Sequence, residues 1–185
     1  ALTVAAALTM AHFANLKIQR QNLVQLCSDA EWYVGTRGGI MDQFISLFAE
    51  RGHALFLDCR PNEDGSYDTK LVPLPEDYEI IVAESGVRHN NVRGEYNKRV
   101  ASCRTGIGLL RTRWPRSSHL RDLEGVNWNS IEPQLPLELT VREALALDGN
   151  DICEIPGLNP DDVLHVRACC RHVWHENRRV LDAFD

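Results

Sequence analysis

CSDAEWYVGTRGGIMDQF, residues 27–44, sets two carboxylates, Glu31 and Asp42, on either side of the glycine pair Gly38 and Gly39. Phosphoryl transfer divides its labour in this way: one acid holds a cation that bridges phosphate oxygens, and another orients or deprotonates the attacking hydroxyl. The glycines have no side chains, so backbone can approach another backbone or a ligand closely. After them IMDQFISLFAERG has the apolar spacing of a helix closed by Gly52, with Asp42 in its first turn. A helix amino terminus favours negative charge, and a carboxylate base is useful only when ionised.

Working outward, residues 1–14 and 19–33 show apolar positions at helical spacing, and Gly35 ends the second run. Beyond Gly52 the pattern changes period. HALFLDCR reads as a strand, PNEDGSYD as a polar turn, TKLVPL as a second strand and YEIIVAES as a third, which makes an antiparallel meander. From Gly94 a long helix is predicted, with Gly106 and Gly108 either loosening its middle or marking a close contact. Residues 115–139 are rich in Pro, Gly and polar residues and read as an ordered connector, with Trp114 and Trp128 as its anchors. A short helix at 140–147 follows. Asn159 then reads as a helix cap, with Pro160 at the first helical position, before a helix to the end. The fold class expected is α+β, helices packed on an antiparallel sheet.

Composition narrows the functions. A chain of 185 residues with 44% apolar content can bury a core. Its 26 acidic and 20 basic residues, a formal charge of -6, offer no basic face for a nucleic-acid backbone. The opening ALTVAAALTMAHF is too short to span a bilayer and lacks a basic leader, so neither a membrane partner nor a targeting segment is expected. Six cysteines without a CxxC pair read as reduced, buried thiols of a cytoplasmic protein. In the run HVRACCRHVWHENRRV, His165, Cys169, His172 and His175 have helical spacings that could converge on zinc. The alternation of charged and apolar positions there instead favours an amphipathic helix.

The run GGIMDQF, continued by ISLFAERGHALFLDCR, resembles the GHMP kinases and the galactokinase family in particular. So do ESGVRHNNVRGEYNKR and RHVWHENRRV, and the latter stretch carries no metal in that family. The resemblance implies a GHMP-kinase-like fold of two lobes. Residues 1–84 would be the remainder of the amino-terminal catalytic lobe, and 85–185 the start of the second lobe with the 115–139 connector. It also implies an interior fragment, inactive alone, lacking the amino-terminal sugar motif, the phosphate loop and a carboxyl-terminal glycine-rich motif.

By the same resemblance Asp42 faces the sugar hydroxyl as catalytic residue, and Glu31 binds Mg2+, for which one glutamate beside phosphate and water oxygens suffices. Gly39 and Tyr96 contact the sugar, and Arg88 the nucleotide. The implied activity is transfer of the γ-phosphoryl of ATP to the anomeric hydroxyl of galactose. The alternatives are a kinase of arabinose, galacturonate or N-acetylgalactosamine, or a sugar sensor without catalysis. Many family members carry cysteine where this chain has Gly38, and proline where it has Arg37, which opens the sugar preference at that edge. A monomer or weak oligomer is expected.

Overall fold

Local propensity and burial account for most elements of the chain, for which a computed structural model describes residues 1–33, 38–86, 94–148 and 152–183. The chain divides into two compact units, residues 1–89 and 90–185.

In the first unit, helices α1 (Leu2–Phe13) and α2 (Arg20–Tyr33) pack through Val4, Leu23 and Cys27. The Arg20 guanidinium donates to the Leu47 carbonyl at 3.3 Å, tying α2 to α3 (Met41–Phe48). Phe44 of α3 is fully buried; it stacks on Phe48 and meets Tyr67 edge-on, with centroids 5.2 and 5.1 Å away. Beneath it lies a two-stranded antiparallel ribbon, β1 (His53–Leu57) with β2 (Thr69–Pro73), in register Leu55 to Leu71. Helix on ribbon is therefore the layer that seats Asp42.

The expected third strand is absent: residues 79–86 have no regular structure, and Ile80, Ile81 and Val82 are almost fully exposed. The β-branched residues satisfy the propensity, but a strand also needs a partner edge, and β1–β2 does not extend to it.

The second unit is built on α4 (Glu95–Leu110) against α7 (Val166–Asp182). Helix α4 is unbroken, so its glycines do not interrupt it. Gly106 marks a close contact instead: a Cβ there would lie 2.2 Å from the Cys170 sulfur of α7. Residues 115–139 are no mere connector. They form a 3₁₀ turn (Leu120–Leu123), a short helix α5 (Trp128–Ile131) and a second 3₁₀ turn (Glu132–Gln134), and Leu120, Leu123, Trp128, Ile131 and Leu135 are buried in the core. The Trp174 indole of α7 donates to the Leu123 carbonyl at 3.1 Å, fastening the segment down.

The last helix also starts later than expected. Residues Val163–Leu164 (β4) pair with Leu139–Thr140 (β3), ahead of α6 (Val141–Asp148). Asn159 does not cap α7; its backbone N–H donates to Asp162 at 2.8 Å, a local turn that competes with helix. None of the six cysteines is in a disulfide, but Cys27 and Cys170 alone are buried, while Cys59 and Cys153 are exposed.

Candidate functional site

Glu31 and Gly38 meet. Helix α2 presents the Glu31 carboxylate toward α1, where the Thr3 hydroxyl donates to Oε1 at 3.2 Å. The other oxygen, Oε2, lies 4.0 Å from where a Cβ on Gly38 would stand. No described residue hydrogen-bonds that oxygen. Glu31 also lies near Cys27, whose thiol is pushed up by burial and further by the Glu31 charge.

The glycine pair is held at both ends. Trp32, next to Glu31, donates its indole N–H to the Gly38 carbonyl at 2.8 Å. On the other side Ile40 is buried against Val24 and Phe44. Between these anchors Gly39 is exposed, and a Cβ there would meet nothing within 4 Å. Asp42 follows in the first turn of α3, exposed, with the Ser46 hydroxyl donating to its carbonyl at 2.7 Å. Its carboxylate takes no hydrogen bond from the described residues, whereas its neighbour Gln43 is buried with an unpartnered amide oxygen among them.

Tyr96 belongs to the second unit, in the first turn of α4, and is 42% exposed. Lys98, one turn into α4, pairs with Asp162 at 3.0 Å and Glu95 at 3.2 Å. Arg88 lies outside the described residues. Neither Thr3 nor Trp32 stands out from the sequence alone. Thr3 lies 28 residues from its partner, and Trp32 acts on a backbone atom, which composition and spacing do not report.

An exposed carboxylate on a helix amino terminus, an acid with one oxygen unpartnered among the described residues and an open glycine backbone suit hydroxyl activation beside a hard cation. Glu31 fits magnesium in kind, a hard carboxylate oxygen with room for phosphate and water as the remaining partners. Among the described residues no three His, Cys, Asp or Glu side chains gather into a metal-holding group, the α7 histidines and cysteines included. No described helix is long and apolar enough to cross a membrane.

Comparison with known proteins gives a family match and a series of relatives. Residues 1–50 match the family described as GHMP kinases N terminal domain. Over 184 residues the chain is 34% identical to the galactokinase of Chloroflexus aurantiacus, covering 99% of this chain and 39% of that protein. It is 31% identical over 182 residues to the galactokinase of Roseiflexus sp., covering 98% and 38%. The galactokinase of Thermotoga petrophila is 36% identical over 126 residues, 67% of this chain and 35% of that protein. The chain thus spans about two fifths of the length of the curated relatives that match nearly all of it.

Proposed function

We propose, for a chain that belongs to the galactokinase family of GHMP kinases, that the whole protein transfers the γ-phosphoryl of ATP to the anomeric hydroxyl of galactose. The observation that carries this is the constellation on one segment: Glu31 against Gly38, the open backbone of Gly39, and the exposed Asp42 at the start of α3.

In this reading Asp42 orients the sugar hydroxyl and accepts its proton as the oxygen attacks phosphorus. Gly39 lets the sugar lie against backbone, and Tyr96 donates a hydrogen bond to it, while Arg88 contacts the nucleotide. Glu31 would hold magnesium, with Thr3 fixing the carboxylate rotamer, as outer partners do for ligating carboxylates. Bound magnesium supplies charge neutralisation at the phosphate oxygens.

The two-lobed organisation belongs to the same proposal, with residues 1–84 in the amino-terminal lobe and 85–185 opening the second. So does a cytoplasmic, monomeric or weakly oligomeric protein, since an ATP-consuming sugar kinase works where ATP is abundant.

The test uses the full coding product that contains this chain, assayed with ATP, Mg2+ and a panel of galactose, arabinose, galacturonate and N-acetylgalactosamine. Galactose should be the best substrate. Asp42→Asn should lower kcat by about 10³, within the range of lost acid–base catalysis, with sugar KM little changed. Wild-type turnover in Asp42→Asn would sink the assignment. Sugar binding without turnover in the wild type would point to a sensor.

A further inference from the structure

We infer that Trp32 is a positioning residue that aims the Gly39 backbone N–H at the sugar and so sets sugar affinity and selectivity; this rests on the kinase reading above. Trp32 is the penultimate residue of α2 and directly follows Glu31. Its indole reaches six residues ahead, to the Gly38 carbonyl at 2.8 Å, a connection that the helix's own hydrogen bonding does not require.

The consequence lies in the peptide plane. Gly38 C=O and Gly39 N–H belong to one rigid unit, and no cis peptide occurs among the described residues, so the two groups point in opposite directions. Holding the carbonyl oxygen on Trp32 therefore turns the Gly39 N–H away from the indole. That N–H takes no partner among the described residues, and the space beside Gly39 is open. A free, aimed donor beside an open glycine is a seat for a hydroxyl oxygen. Without a tether, a pair of glycines samples many peptide orientations, because neither residue has a Cβ to limit them. The indole provides the tether at low entropic cost, since it is a rigid group with two side-chain torsions. Ile40, buried next in sequence, fixes the other end.

A merely structural role predicts a different response. Trp32 is 40% exposed, so losing part of its ring costs little burial, and its removal should not unfold the protein. What should change is the orientation of one peptide group.

The experiment compares wild type with Trp32→Phe, which keeps an aromatic ring and loses the donor, in the full coding product. Sugar KM should rise about fivefold, the worth of one hydrogen bond, with discrimination among the sugar panel narrowed. The kcat, the KM for ATP and the melting temperature should stay unchanged. In parallel, the Gly39 amide resonance of the 15N-labelled protein should move in Trp32→Phe. Wild-type sugar KM in an active Trp32→Phe enzyme overturns the inference, as does a general loss of kcat, both KM values and melting temperature together. If the wild type phosphorylates no sugar while the Gly39 resonance still moves, the kinase reading fails and the tether itself stands; a resonance that does not move overturns the tether.

Discussion

Gly106 shows how much one missing carbon can decide. An alanine there gains about 1 kcal/mol of helix propensity, yet its Cβ would stand 2.2 Å from the Cys170 sulfur and 3.4 Å from Val166 Cγ1. Cys170 is fully buried, and its thiol is pushed up by its hydrogen bond with Cys103 and by burial, so swinging the sulfur away would give up that hydrogen bond. Overpacking of this kind costs about 1–3 kcal/mol. Gly106→Ala should therefore destabilise the protein in urea denaturation, and the cost should vanish or reverse in a Cys170→Ala background. A stabilised single variant would show that α4 and α7 separate at little cost. The same reasoning explains why the sequence could pose the question and not answer it: a glycine inside a helical pattern signals either looseness or proximity, and the neighbour lies 64 residues away in the chain.

Among the elements, local pattern is enough for α1 to α4, β1 and β2: apolar composition marks α1, apolar spacing marks the others, and Gly35 and Gly52 stop α2 and α3. It is not enough where tertiary contacts choose. The 115–139 segment is studded with breakers, so no long period survives, yet its short turns bury Leu123, Ile131 and Leu135. Of the site, the acids and glycines were legible as residue types, whereas the Thr3 and Trp32 contacts emerge only from folding. The turn before β4 is likewise set by charge. Asp162 accepts from Asn159 and pairs with Lys98, and these contacts, the backbone donor first, hold its carboxyl below the usual range. Lys98 is raised by its hydrogen bonds to Asp162 and Glu95. A lowered folded pKa means stability present above the unfolded value, about 3.9 for an aspartate, and lost as pH falls through the folded one. The raised lysine contributes below about pH 10.4 and loses its contribution as pH rises through its folded value. Asp162→Asn should therefore lower the melting temperature at pH 7, with the difference closing as pH falls from about 3.9 through the lower folded value. An equal difference at both ends of that range would mean that Asp162 serves turn shape alone.

For the molecule as a whole, the distribution of apolar surface is uneven. The 90–185 unit surrounds one continuous core, in which both long helices and the 115–139 turns take part. The 1–89 unit carries two small clusters, and much of its apolar surface stays uncovered: Leu2, Met10 and Phe13 on α1, and Tyr78, Ile80, Ile81 and Val82 past β2. A helix apolar on all sides is ordinarily a buried one, and α1 buries Val4 alone. The stretch YEIIVA combines β-branched residues with no proline, and past Tyr78, whose N–H donates to the Pro75 carbonyl, its backbone takes no partner among the described residues, the pattern that adds strands between molecules. The 185-residue chain purified alone should then associate with increasing concentration, and the contact should run through this segment. Ile81→Lys places a charge in its middle at a position that is 86% exposed and belongs to no core cluster, so folding should not suffer. Size-exclusion chromatography coupled to light scattering should show less association for the variant, with an unchanged melting temperature. If Ile81→Lys associates as the wild type does, the uncovered face of α1 is the adhesive surface, and Phe13→Lys should then disperse it.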